Sequence, residues 1–262
     1  MATPIDRSRS SATALAGLVI MAGWPAAMAR PLDGTDANVQ PAGLYQLELG
    51  LSDLRGGARR TLAAPVAVLT YGVADGTEVA VSGQFSRALG TLDAGQHRLS
   101  MGGTGISFKH QITAAAAPGE AGGAAAGTAA SCGLLLPEAG GDAGTGASCS
   151  AIVSQLFAAG AAHLNLTLTR TRAQTWSHVL GLIVEGRDGV LGGAVLRPVM
   201  EIWSQREHDG ADGARTRSLL AGVVWKHSEQ LAFDAAVHHE RSSGGSYSEL
   251  RVGLTWLYPS WP

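Results

Sequence analysis

The chain has 262 residues, with 19 Lys+Arg against 21 Asp+Glu, and the resulting formal charge of −2 provides no basic footprint for nucleic acid. Charged residues make up 15%, mean hydropathy is only +0.12, and no stretch after the N-terminus approaches the roughly 18 uninterrupted apolar residues of a spanning helix. Composition therefore excludes a helical membrane protein and leaves apolar positions that alternate with polar ones.

The first segment reads as an export signal. Arg7 and Arg9 precede the apolar run Ala14–Ala22, and Ala27-Met28-Ala29 supplies a small-x-small cleavage site, so residues 1–29 are expected to be a removed signal peptide. A retained N-terminal anchor is the alternative, although Gly23, Trp24 and Pro25 interrupt the run. Residues 30–262 then form one domain, and removal of Asp6, Arg7 and Arg9 makes it one unit more negative.

Period two governs the rest of the chain. In 43–54, Tyr45, Leu47, Leu49 and Leu51 alternate with Gln46, Glu48, Gly50 and Ser52, which predicts a strand with one apolar and one polar face. Segment 62–71 and the strand from Glu78 to Phe85 flank the turn signal Asp75-Gly76, a hairpin pattern. Segment 105–112 sets Ile106, Phe108 and Ile112 against Ser107, Lys109 and Gln111. The Ala- and Gly-rich stretch 113–128 has almost nothing to bury and reads as a spacer. Weaker strands are expected at 129–137 and 150–157, flanking Cys132 and Cys149. An exported pair with no other thiol is expected to form a disulfide tethering two neighbouring strands, with free thiols as the alternative.

In 163–169, His163, Asn165, Thr167 and Thr169 alternate with Leu164, Leu166 and Leu168, the most regular strand of the chain. Further strands are expected at 175–185, 194–205, 217–226, 231–240 and 247–258. The intervening turns predict an asymmetry, with short ones at 72–76, 186–189 and 227–230 and longer ones at 89–103 and 208–215.

The last strand, Arg251 to Tyr258, carries Gly253 near its middle and the aromatics Trp256 and Tyr258 near its end. That is the pattern by which outer-membrane barrels present a final strand to the insertion machinery. Val252, Leu254, Trp256 and Tyr258 would face lipid, and Arg251, Gly253 and Thr255 a lumen. A closing strand of a soluble sandwich is the competing reading, and Pro259-Ser260-Trp261-Pro262 extends past the aromatics where such signals usually end.

The expected fold is all-β, an antiparallel transmembrane up-and-down β-barrel of about 12 strands. Inward candidates for the lumen lining are Gln46, Glu48, Glu78, Gln84, Lys109, Asn165, Thr167, Glu185 and Arg251. His163, His178 and His238 are expected to be solvated lumen residues. Catalytic motifs are absent: no Gly-x-Ser-x-Gly elbow, phosphate loop or dinucleotide fingerprint occurs. No metal site is expected, since the cysteines lack CxxC spacing and His238 and His239 point to opposite faces of a strand. No cofactor is implied.

The order of segments 64–78, 105–110, 133–137, 176–180 and 231–234, followed by the final strand, resembles the outer-membrane family named for the MetA pathway of phenol degradation, over about four-fifths of the chain. Two departures are visible: Thr104 and Ile106 flank Gly105 where that family places an Asp after the Gly, and the Ala-rich insert is atypical. The resemblance implies a channel or transporter for small aromatic or otherwise hydrophobic compounds, with no catalytic residues to carry over. An outer-membrane barrel enzyme acting on lipids and a structural or adhesive barrel are the competing functions. The expected partners are outer-membrane lipid, the insertion machinery and an unidentified small molecule.

Overall fold

The computed structural model describes residues 31–259 apart from 58, 90–96, 117–125, 141, 190–194, 209–213 and 244, and its regular structure is all strand. The expected signal peptide, 1–29, lies outside the described residues. Each strand pairs antiparallel with its neighbour in sequence: β1 (Leu44–Gly56), β2 (Arg59–Ala74), β3 (Thr77–Ala88), β4 (Leu99–Thr113), β5 (Ala126–Leu135), β6 (Gly146–Phe157), β7 (Gly160–Arg170), β8 (Trp176–Gly186), β9 (Leu196–His208), β10 (Arg215–Lys226), β11 (Leu231–Ser242) and β12 (Gly245–Pro259). Pairing of β12 with β1, from Leu44↔Pro259 to Arg55↔Ser248, closes a barrel of twelve strands. Closure leaves no unpaired edge.

Alternation of side chains separates two environments. On β7, Leu164, Leu166 and Leu168 are 46%, 48% and 55% exposed, whereas His163 and Asn165 between them are 3% and 7% exposed. The same division runs round the barrel, so the exposed large residues form an apolar belt and the polar ones turn inward. A continuous apolar outer surface with a polar interior inverts the soluble arrangement and matches a barrel that contacts acyl chains.

One interruption of period two has a local cause. Pro65 has no N–H to donate, and the ladder skips Ala64 and Pro65 at a bulge opposite Leu51, so Ala63 and Val66 both face inward although three residues apart. At the seam, Gly253 lies opposite both Gly50 and Asp234. A Cβ on Gly253 would come within 2.7 Å of Asp234 Oδ2, so this position accommodates the carboxylate by carrying no side chain.

The two rims differ. At the rim holding Leu44 and Pro259, here the terminal rim, Tyr45 stacks on Tyr71 at 4.4 Å, Trp225 meets Phe233 at 5.5 Å, and Trp256 meets Tyr258 at 5.5 Å. These aromatics occupy the level of an interfacial girdle. The distal rim is richer in arginine on its outer face, where Arg170 lies over the ring of Trp176 at 5.8 Å. The expected separation of short turns from long loops is met in part: the turns within 72–76 and 227–230 lie at the terminal rim and the longer connections within 89–103 and 208–215 at the distal rim, but connections 114–125 and 187–195 share the terminal rim with the short turns. The spacer is also shorter than expected, because Ala126–Leu135 joins the ladder and Ala129 packs inward beside Ile152.

Cys132 and Cys149 face each other across β5 and β6 and form a disulfide, with Cα atoms 4.1 Å apart. Both side chains point outward, beside Phe108 and Leu168 in the neighbouring strands. A double Cys132→Ser/Cys149→Ser variant is expected to lose about 3 kcal/mol by the loop-entropy estimate yet still fold into a barrel. Urea unfolding in detergent measures the loss, and heat-modifiable gel migration reports the barrel. Thiol labelling of the native protein before reduction would contradict the bond.

Candidate functional site

Inside the barrel lies a stretch without regular structure. Residues 31–43 run along the lumen wall before entering β1, and their contacts move from β12 and β9 through β7 and β6 to β3 and β1. An irregular segment has no ladder for its backbone groups, so partners must come from the wall. Glu201 Oε2 and Oε1 accept from the N–H groups of Asp33 (2.7 Å) and Gly34 (2.8 Å). Asn165 Oδ1 accepts from Thr35 N (3.1 Å), while its Nδ2 donates to Thr35 O (2.9 Å). Ser154 Oγ accepts from Ala37 N (2.8 Å), Gln111 Nε2 donates to Ala37 O (3.1 Å), and Glu78 Oε2 accepts from Gln40 N (2.7 Å).

Side chains add charge to this frame. Lys109 Nζ stands 3.6 Å from Asp36 of the segment and 3.5 Å from Glu78 of the wall, all three nearly excluded from solvent. Arg251 donates to Pro31 O (2.9 Å) and Asp33 Oδ1 (2.7 Å) and also binds Glu249 (2.8 Å), and Trp203 Nε1 donates to Asp33 Oδ2 (3.0 Å). Gln40 hydrogen-bonds Gln46. Gly34 fits because it lacks a Cβ, which would sit 2.9 Å from both Glu201 Oε1 and Ile183 Cδ1.

The segment leaves a cavity of about 450 Å³ between itself and the wall made by β12 and β1–β5. Of the nine residues named as lumen lining, Glu48, Glu78, Gln84, Lys109 and Arg251 border this cavity. Gln46 lies beneath the segment, close to Gln40 and Glu78. Asn165, Thr167 and Glu185 belong to the opposite wall, where Asn165 holds the segment, Thr167 pairs with Ser150 at 2.7 Å, and Glu185 meets Arg197 at 3.3 Å. Gly253 also borders the cavity, and Trp256 and Tyr258 point outward.

Sequence reasoning missed Glu201, Trp203, Ser154 and Glu249, although each occupies the inward parity of its own strand. Counting alternation from Val199 through Glu201 to Trp203 would have reached two of them. The histidines differ from expectation. His163 and His238 face inward but are 3% and 2% exposed, because Ser154 and Glu185 enclose the first and Ser218 and Glu249 the second. His178 points outward, opposite Leu168 and Arg206, and its ring lies tilted against that of His208 with centroids 5.2 Å apart.

Ser218 Oγ lies 2.6 Å from His238 Nε2, and His238 Nδ1 lies 2.9 Å from Glu249 Oε2, the connectivity of an acyl-transfer triad. Other features separate it from one. Glu249 is shared with Ser52 and Arg251, His238 is enclosed, and the strand N–H groups beside Ser218 belong to the ladder and cannot turn toward an oxyanion. The trio is an internal part of the polar lining. Among the described residues no His, Cys, Asp and Glu side chains gather as a metal site.

No family profile matches the chain, and no curated protein matches it. Solved structures do. An outer-membrane channel from Pseudomonas putida F1 superposes with a TM-score of 0.63 and 10% identity, covering 87% of this chain and 100% of that one. A NanC porin gives 0.52 at 6% identity, covering 80% and 98%. The likeness is one of fold.

Glu201→Ala removes the acceptor for two backbone N–H groups at once. Each unsatisfied buried donor costs about 1–3 kcal/mol, so exchange of the Asp33 and Gly34 amides should accelerate by on the order of tenfold to a hundredfold, with the β-ladder unaffected. Hydrogen exchange in detergent checks this, and unchanged protection at both amides would contradict the hydrogen-bond assignment.

Proposed function

We propose that the chain is an outer-membrane channel for small molecules, narrowed by its own residues 31–43. The observation that carries this reading is the cavity of mixed polar and apolar lining between that segment and the wall of β12 and β1–β5, enclosed in a barrel whose outer surface is apolar. A structural barrel needs no such space, whereas a passage does. Likeness of fold to an outer-membrane channel supports the same reading. In this proposal residues 1–29 direct export and are removed, and Gly253, Trp256 and Tyr258 present the final strand to the insertion machinery.

Val66, Val68 and Ala80 form an apolar strip in the cavity beside Glu48, Gln84 and Arg251. That surface suits a small solute with an apolar body and a polar end, which accords with the aromatic or hydrophobic compounds implied by the sequence resemblance. Charged groups on both sides of the strip would orient such a solute as it passes.

In planar bilayers the full chain is expected to give small conductance steps, and a variant lacking residues 31–40 steps severalfold larger. Absence of steps from both proteins would refute conduction. Equal steps from both would show that the segment does not narrow the path.

Assembly is tested separately. Trp256→Ala/Tyr258→Ala should lower the outer-membrane fraction of expressed protein more than Trp24→Ala, because only the first pair removes interfacial anchors of the final strand. Cell fractionation decides it, and full outer-membrane recovery of the double variant would remove these aromatics from the insertion signal.

A further inference from the structure

The outer face of the distal rim holds guanidinium groups in directly opposed cross-strand pairs. Arg55 lies opposite Arg60, Arg206 opposite Arg215, and Arg217 opposite Arg241. Like charges in that position repel unless an anion lies between them. The first pair shows how the protein meets this requirement: Asp53 accepts from Arg55 at 2.6 and 3.1 Å and from Arg60 at 2.9 and 3.0 Å.

The β9–β11 pairs are treated differently. Among the described residues no carboxylate pairs with Arg206, Arg215, Arg217 or Arg241, all of them exposed. The nearby acids Glu207 and Glu240 belong to the inward parity; Glu207 accepts from Thr175 at 2.6 Å, and Glu240 is 9% exposed. Asp209 and Asp212, outside the described residues, are two carboxylates against four guanidiniums. His178 lies opposite Arg206 and adds no negative charge.

Height fixes what meets these side chains. Just below the arginines the outward residues are Ser204, His239 and Leu219, and beyond them Ile202, Met200, Val223 and Val237, ending at Trp225 and Phe233 on the terminal rim. From Arg217 to Trp225 the strand climbs about 26 Å, or about 20 Å along the axis at a tilt of about 40°. The guanidiniums therefore stand at the opposite headgroup level from the aromatic girdle.

We infer that the outer face of β9–β11 at the distal rim binds the phosphate groups of an anionic lipid in the leaflet it meets. Guanidinium forks match phosphate oxygens bidentately, and the apolar strip below accepts the acyl chains of the same molecule. This rests on the membrane-embedded part of the proposed function and not on conduction.

Native mass spectrometry of the full chain in detergent tests the inference with diphosphoryl lipid A, its dephosphorylated form, and inorganic phosphate as competitor. Wild type is expected to retain the diphosphoryl lipid at least about tenfold more tightly than the dephosphorylated one, and Arg206→Gln/Arg217→Gln/Arg241→Gln to lose most of that difference. Arg55→Gln/Arg60→Gln should retain it, because Asp53 already serves that pair. Arg217→Lys/Arg241→Lys, which preserves charge but removes the fork, provides a milder variant should the triple one misfold, and is expected to show a partial loss. Equal retention of the two lipids by wild type, or no loss in either the triple or the lysine variant, overturns the inference. Displacement by equimolar inorganic phosphate overturns it too, since the site would then serve a free anion. A variant that loses lipid yet still conducts would separate this result from the channel reading.

Discussion

The constraint on which the structure depends is that a strand facing hydrocarbon can place its N–H and C=O groups nowhere but on another strand. Eleven consecutive antiparallel pairings and the β1–β12 seam meet it completely, and they fix much else. Once every strand is hydrogen-bonded on both sides, period-two alternation sends each neighbouring side chain to lipid or lumen. Pro65 is admitted only at a bulge. Gly50 and Gly253 meet at the seam, where the inward side of Gly253 lies against Asp234.

Closure transfers the polar problem to the interior. A barrel of this size encloses many inward groups, among them Glu78, Lys109, Glu185, Arg197, Glu201 and Arg251, and each needs a partner or water. Residues 31–43 supply partners from the chain itself: their backbone N–H groups satisfy Glu201, Asn165, Ser154 and Glu78, and Asp33 and Asp36 meet Arg251 and Lys109. Wall and segment are thus complementary. The cavity lies where this complementarity stops, along β12 and β1–β5.

The barrel was legible because its signal is local. Leu164, Leu166 and Leu168 announce an outward face without any knowledge of the neighbouring strands, and the same arithmetic located eleven strands to within a few residues, while β4 begins at Leu99, inside the connection expected over 89–103. The luminal segment was not legible. Leu32 to Gly43 has no period, and most of the contacts that hold it to the wall join residues far apart in sequence, such as Gly34 to Glu201. His178 was misassigned because only its register within β8 distinguishes it from His163 and His238. The distribution of long connections was legible only in part, since loop composition says nothing about which rim 114–125 and 187–195 occupy. The inward positions were readable, but which of them border open space and which hold the segment depended on the segment's path.

The disulfide has a consequence for the order of events during biogenesis. Cys132 and Cys149 point away from the lumen, beside Phe108 and Leu168, so in a seated barrel acyl chains cover the sulfurs and soluble thiol reagents are kept away. An oxidase working from water meets both cysteines only while the chain is still outside the bilayer. On the membrane-embedded reading the bond would have to form before insertion, and β5 and β6 would arrive at the membrane already joined as a covalent hairpin.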